Sequence, residues 1–487
     1  MTWPAVLTTS WIVFEYIVKI IAVGVVPDNR KPGSAAGWLM LILFLPIVGV
    51  PLFLILGSPY IDCPRERIQR EANKLLAKGT KQVPDYPAAL EPSAALASVI
   101  GLDRRLTYLP MVDGDNEGVL MSDAESLARM VRLVEGAQRY VHCEIYIMAW
   151  DETTNAFFEA CAAAVRRGVR VRVMMDHLGS RKYPGFKHLG RRLSEAGIEW
   201  HLMLPFLPLK GKIRRPDLRN HRKLLVVDGK YGVMGSQNMI TPDYESKKND
   251  EVGRRWHDVT VELTGQIVME LEAVFETDWY TESGEELDYL VYRMPDEPAP
   301  PLGGKTNAFQ LVPSGPGFHT APNLRLYTSL IGMATKHVRM VSPYFVPSES
   351  FLDAITTACY RGVRFDLYLC SSDQYVVGRA QESYYEALLE AGVIIHEYPK
   401  PELLHTKCFT IDGTYAVMGS ANMDMRSFGL NYEISLLSAR GNMLDQIEQV
   451  IDSYDAKSSL LDLEQWRRRP WTRKYMESVC RLSSALM

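Results

Sequence analysis

The chain has 487 residues, 47% hydrophobic and 23% charged, the balance of an ordinary folded protein with length enough for two or three domains. Its formal charge of -4 argues against a protein that coats nucleic acid, which needs a basic face. Seven scattered cysteines (63, 143, 161, 359, 370, 408, 480) form no Cys-x-x-Cys pair, so they suit neither a disulfide framework nor a zinc site and read as incidental thiols in a reducing compartment.

The N-terminal end differs in kind from the rest. Residues 5–26 are apolar except for Glu15 and Lys19, which share a helix face and can neutralise each other. Residues 38–56 carry no charge at all; as a helix they would run about 28 Å, the thickness of a bilayer core. The uncharged run predicts the firmer of two spans, and the turn at 27–33 joins them into a transmembrane hairpin over about 5–26 and 36–57. Without a basic leader or a small-x-small cleavage site, a cleaved signal peptide is disfavoured. The turn carries Arg30 and Lys31, whereas Arg65, Arg67, Arg70 and Lys74 follow the second run. The positive-inside bias therefore favours a cytoplasmic remainder. A buried hairpin of a soluble protein is the alternative.

Residues 58–104 are charged, then rich in Pro and Ala, and read as a juxtamembrane connector. From about 105 the chain repeats itself. Arg167-Gly168-Val169-Arg170 returns as Arg361-Gly362-Val363-Arg364, and Ala196-Gly197-Ile198 as Ala391-Gly392-Val393. Strand-like runs at 141–150 and 169–175 flank a helical stretch at 154–166; runs at 338–344 and 363–369 take the same places later. This order predicts α/β domains with a mixed sheet over 105–293 and 307–487, joined by a Pro-rich linker at 294–306.

Each half also carries the pattern His-x-Lys-x4-Asp-x6-Gly-Ser-x-Asn. The first copy is His221, Lys223, Asp228, Gly235, Ser236 and Asn238; the second is His405, Lys407, Asp412, Gly419, Ser420 and Asn422. Asp-Gly between apolar runs predicts a hairpin, and alternation along its first strand points His and Lys the same way. An imidazole beside an ammonium suits a phosphodiester: the lysine neutralises non-bridging oxygens while the imidazole attacks phosphorus. Ser236, Asn238, Ser420 and Asn422 leave the returning strands as candidate hydrogen-bond donors to the same phosphate. Asp228 and Asp412 sit at the turns, where a structural role competes with a catalytic one. A nucleophilic imidazole needs a partner on its other nitrogen. Asp258 is the candidate for His221 and Glu433 for His405, each within its own half.

The paired motifs resemble those of the phospholipase D superfamily. Over nearly its whole length the chain is similar to the bacterial cardiolipin synthases of that superfamily. The likeness takes in residues 38–57, Arg219-Asn220-His221-Arg222-Lys223, Ser342-Pro343-Tyr344-Phe345-Val346-Pro347, residues 420–427 and Arg481-Leu482-Ser483. The resemblance implies two tandem phospholipase D-like α/β sandwich domains with pseudo-two-fold symmetry, preceded by a transmembrane hairpin in the bacterial cell membrane. It implies exchange between two phosphatidylglycerol molecules without metal, cofactor or nucleic acid, giving cardiolipin and glycerol through a phosphatidyl-histidine. By the same likeness His221 is the nucleophile and His405 the acid/base. A hydrolytic phospholipase D or another phosphatidyltransferase shares every motif, and an inactive membrane scaffold is a remoter alternative.

A lipid substrate also fits the apolar run at 202–209, followed by Lys210, Lys212, Arg214, Arg215 and Arg219. This loop reads as one that dips into the interface while its bases gather anionic headgroups. An ordinary buried loop beside a solvated basic face is the competing reading.

Overall fold

A computed structural model describes residues 3–28, 32–57, 63–207, 212–213, 215–287, 302–318, 320–371 and 374–482. It divides into two units, residues 1–63 with 206–217, and residues 64–205 with 218–487.

In the first unit the initial apolar run forms one continuous helix, Trp3–Val25, of which Leu7–Val25 is long and apolar enough to cross a membrane. Glu15 and Lys19 pair on it at 2.5 Å, as their spacing predicted. The second run corrects the expectation: it is not one helix. Helix Pro32–Phe44 ends at Leu45, whose φ of -134° and ψ of 64° leave the helical region. A new helix, Pro46–Leu52, then continues as a π turn, Phe53–Gly57. Pro46 brings no N–H to extend the first helix, and its ring clashes with the preceding turn. The two arms fold back on each other. Trp38 meets Phe53 edge-on with ring centroids 5.6 Å apart, and a Cβ on Gly49 would lie 2.8 Å from the Ile42 Cα. Only glycine allows that approach. In the same unit Phe206–Leu207 pairs antiparallel with Lys212–Ile213; Lys210 and Arg214 of the expected basic loop lie outside the described residues, and Arg215 is paired with Asp217 at 2.6 Å.

The second unit is built on one sheet. Its strands, in chain order, are β1 (Val112–Leu120), β2 (Tyr140–Ile145), β3 (Arg170–Asp176), β4 (Glu199–Met203), β5 (Lys223–Val227), β6 (Tyr231–Gly235) and β7 (Thr260–Thr264) in the first half. The second half adds β8 (Thr306–Ser314), β9 (His337–Val341), β10 (Arg364–Cys370), β11 (Ile394–Tyr398), β12 (Cys408–Ile411), β13 (Tyr415–Gly419), β14 (Glu433–Ser438) and β15 (Ser459–Leu460). The order across the sheet is β15-β11-β10-β9-β12-β13-β14-β8-β1-β7-β6-β5-β2-β3-β4. Read outward from the central antiparallel pair β1 and β8, where Val112 faces Phe309, the seven strands of the first half match the first seven of the second in order, with β15 added at the second half's edge, so the duplication is visible as a pseudo-two-fold. The expected linker at 294–306 falls mostly outside the described residues; its last member, Thr306, already opens β8.

Alternation along the strands supplies a core to each face. Leu224 and Val226 of β5 pack with Leu271 and Phe275 of helix Ile267–Ser283. Leu225 and Val227 point the other way, toward Phe157 and Phe158 of helix Asn155–Arg166. Both motif strands are thereby buried on both sides, which holds the residues at their ends in place.

Candidate active site

Each motif begins just before its strand, and the backbone there does not pair within its own half. Asn220 forms a parallel bridge with Tyr432, and Leu403–Leu404 pairs parallel with Trp256–His257. The His221 N–H donates to the Tyr432 carbonyl at 2.8 Å, and the His405 N–H to that of His257 at 2.9 Å. In a parallel register the next residue on each partner segment comes alongside the imidazole. Those residues are Glu433 and Asp258.

The carboxylate pairing is accordingly the reverse of the sequence expectation. His221 Nδ1 lies 3.1 Å from Glu433 Oε2, and His405 Nδ1 lies 2.7 Å from Asp258 Oδ1. Each imidazole takes its carboxylate from the opposite half, because the crossed backbone pairing decides adjacency and sequence distance does not. His221 Nδ1 also faces the Ser420 carbonyl at 3.0 Å; with Nδ1 engaged in both histidines, Nε2 is the nitrogen left for chemistry.

The motif serines also differ from expectation. Ser236 Oγ donates to Asp258 Oδ1 at 2.6 Å and accepts from the Val259 N–H at 3.0 Å. Ser420 Oγ donates to Glu433 Oε2 at 2.5 Å and accepts from the Ile434 N–H at 3.0 Å. Both hydroxyls are spent on the carboxylates that face the imidazoles, so they do not stand ready as phosphate donors. Each half thus supplies a Ser–carboxylate pair for the histidine of the other.

His221 and His405 line one cavity of about 680 Å³, together with Asn238, Tyr244, Asn422 and Arg426. Asn238 stands on its wall with the side chain engaged, donating to Tyr244 Oη at 2.8 Å and accepting from the Ile147 N–H at 3.2 Å. Asn422 Oδ1 is buried with no hydrogen bond among the described residues. Lys223 Nζ donates to the His221 carbonyl at 2.5 Å, and Lys407 Nζ makes the equivalent bond to His405.

Burial dominates the electrostatics. It lowers both imidazoles to about 4, against the pull of Glu433 on His221 and of Asp258 on His405. It lowers Lys223 to about 7 and Lys407 to about 8, against the same two carboxylates. Burial pushes the carboxyls up, but the facing histidines and lysines outweigh it and hold Asp258 and Glu433 below their ordinary values. The resting site therefore holds neutral imidazoles between ionised carboxylates and two ammonium groups that lose their protons readily.

Asp228 and Asp412 lie at the turns, away from the imidazoles. Both take positive φ, 55° in each case, at the tips of the β5–β6 and β12–β13 turns. Asp228 accepts the backbone N–H groups of Gln138, Arg139 and Tyr140 at 2.7–2.9 Å. Asp412 does the same for Thr335, Lys336 and His337. A strand's length separates them from the imidazoles, and their oxygens secure the starts of β2 and β9. Arg219 is likewise not part of a solvated basic face: it is buried and paired with Asp176 at 3.0 Å.

Sequence reasoning missed a buried cluster beneath His221. Two guanidiniums approach the Tyr432 ring, that of Arg65 at 4.3 Å from its centroid and that of Arg222 at 5.5 Å. Asp278 bridges the two, accepting from Arg65 at 2.8 Å and from Arg222. Arg65 reads in sequence as a juxtamembrane base; here it braces the segment that carries Glu433. The polar residues on helix Ile267–Ser283, Glu270, Glu272, Glu276 and Asp278, all buried, were the available signal, since charges on a core helix need partners.

Residues 130–279 and 327–454 match the domain family described as "Cardiolipin synthase, PLD-like domain", and residues 17–58 match "Phospholipase_D-nuclease N-terminal". A cardiolipin synthase of Geobacillus kaustophilus (strain HTA426) is 32% identical over 96% of this chain and 92% of its own length. Cardiolipin synthase A of Pectobacterium carotovorum subsp. carotovorum (strain PC1) is 30% identical over 98% of both. Among solved structures, phosphatidylserine synthase of Haemophilus influenzae Rd KW20 aligns with a TM-score of 0.60 over 80% of this chain and 99% of that one. At 13% identity that likeness is one of fold.

Proposed function

We infer that this chain, which belongs to the cardiolipin synthase family with phospholipase D-like domains, is a membrane-associated phosphatidyltransferase that makes cardiolipin. The donor and the acceptor are both phosphatidylglycerol, and the catalytic unit works at the cytoplasmic face of the membrane.

One observation carries the reading: His221 and His405 line a single cavity, each with Nδ1 on a buried carboxylate. A neutral imidazole oriented in this way presents the Nε2 lone pair, the form a nucleophile requires. In the first step His221 Nε2 bonds to phosphorus and the P–O bond to the headgroup glycerol breaks. His405, protonated when the anionic lipid is bound, gives its proton to the departing alkoxide. In the second step the now neutral His405 takes the proton of a free hydroxyl on another phosphatidylglycerol. That oxygen attacks phosphorus, the P–N bond breaks, and His221 is regenerated. One phosphodiester replaces another, so the exchange is nearly isoenergetic and reversible.

Glu433 and Asp258 support the positive charge each imidazole acquires, and Ser420 and Ser236 hold those carboxylates. Lys223 and Lys407 neutralise the charge that builds on the non-bridging oxygens in a site sheltered from water. Asn422, with a free carbonyl oxygen at the wall, suits a hydroxyl of the glycerol headgroup.

The test is lipid analysis of membranes given phosphatidylglycerol with labelled phosphate and headgroup. Wild type should give cardiolipin and glycerol in equal amounts and His221→Ala neither. Phosphatidate as the main product would mean that water is the acceptor.

A further inference from the structure

We propose that the chain crosses the bilayer once, through helix Leu7–Val25, and that residues 32–57 form a re-entrant hairpin that dips into the membrane and returns to the face it left. The proposal rests on the membrane association above but not on the reaction assigned to the site.

Length is the first reason. The arms Pro32–Phe44 and Pro46–Gly57 have 13 and 12 residues, about 20 and 18 Å of helix against a hydrocarbon core of about 30 Å. Neither arm spans alone. They are also not stacked end to end, because Trp38 reaches Phe53 and Gly57 across the fold and Gly49 lies against the backbone of Leu41 and Ile42.

The corner has the chemistry of a segment immersed in lipid. Phe44 and Ile47 at its tip are 81% and 70% exposed, with Leu45 and Val48 beside them also open. A hairpin tip facing water would place polar residues there. A bend inside hydrocarbon must also satisfy its own backbone. The Leu45 N–H donates to Leu41 at 2.9 Å, and the Leu45 carbonyl accepts from Val48 at 3.0 Å and Gly49 at 2.7 Å. Pro46 and Pro51 have no N–H to leave unpaired.

Charge is the independent argument. Residues 32–57 contain no Asp, Glu, Lys or Arg, whereas Arg30 and Lys31 precede them and Arg67, Arg70 and Lys74 follow. Two full spans would put these basic groups on opposite faces. A re-entrant hairpin puts them on one face, as the positive-inside bias prefers, with residues 1–6, which carry no Lys or Arg, on the other.

The test uses the full chain in bacterial spheroplasts, with a protease-sensitive epitope placed before Thr2, after Asp28 or after Met487. The epitopes at 28 and 487 should both be protected until lysis, while the one before Thr2 is cut in intact spheroplasts. Cleavage at 28 with protection at 487 would overturn the proposal in favour of two spans. Cardiolipin formation by each tagged chain, measured in parallel, reports separately on the enzymatic reading.

Discussion

His221 takes its carboxylate from the far half of the chain: its Nδ1 is 3.1 Å from Oε2 of Glu433, while Asp258, in its own half, is 2.7 Å from His405. The active site is therefore a product of both halves twice over. Each half contributes one imidazole and, for the other imidazole, the carboxylate that orients it.

This crossing is measurable. In a double-mutant cycle read by denaturant unfolding, His221→Ala with Glu433→Gln should show a coupling of about 0.5–3 kcal/mol, as contacting residues do. His221→Ala with Asp258→Asn should show a clearly smaller coupling, because those two groups share only the neighbouring lysines and make no contact of their own. The opposite result would restore the pairing within each half.

The motif serines should behave as supports. Ser236→Ala and Ser420→Ala each remove a donor from a buried carboxylate, which leaves a charge less well held. Turnover should fall by roughly tenfold with KM little changed, since about 1.4 kcal/mol corresponds to that factor. A rise in KM at constant kcat would show that the hydroxyls bind the lipid phosphate instead.

Asp228 and Asp412 should prove structural. Replacing either by Ala leaves backbone N–H groups at the start of β2 or β9 without their acceptor, at a cost of about 1–3 kcal/mol. Thermal stability should fall, while kcat per folded molecule stays within about threefold of wild type. A loss of turnover as large as that of His221→Ala in a chain of normal stability would return these residues to the reaction.

Both imidazoles are held by burial at about 4, below the 6.5 of an unfolded histidine. Between those values the unfolded chain binds more protons than the folded one, so stability declines as pH falls from about 6.5 toward 4. The melting temperature of wild type should drop more steeply over that range than that of a His221→Asn, His405→Asn double variant. Parallel curves would mean that the imidazoles are not kept neutral by burial.

Much of this was readable in the residues. The repeat of Arg-Gly-Val-Arg and of the His-x-Lys pattern announces the duplication, and the Asp-Gly turns place the β5–β6 and β12–β13 hairpins. What misled was reading by proximity along the chain. Proximity gives Asp258 and Glu433 to the wrong histidines because the parallel pairings of Asn220 with Tyr432 and of Leu403 with Trp256 join residues 212 and 147 positions apart. In sequence Arg65 is a membrane-proximal charge, because nothing in a linear view puts it beside Tyr432 and Asp278. Residues 38–56 read as one continuous helix because hydropathy counts charge and length and does not register that Pro46 and Gly49 permit a sharp reversal.

By itself, then, the amino-acid order determined the kinds of group available: two imidazoles, two ammoniums, the carboxylates, the apolar N-terminal stretch, and the local turns whose conformations depend only on near neighbours. Tertiary structure decided which of these groups meet, because contacts across a fifteen-stranded sheet depend on long-range pairing whose register no local propensity encodes. The crossed Ser–carboxylate–histidine arrangement belongs to that second category, and so does the fold-back at Leu45.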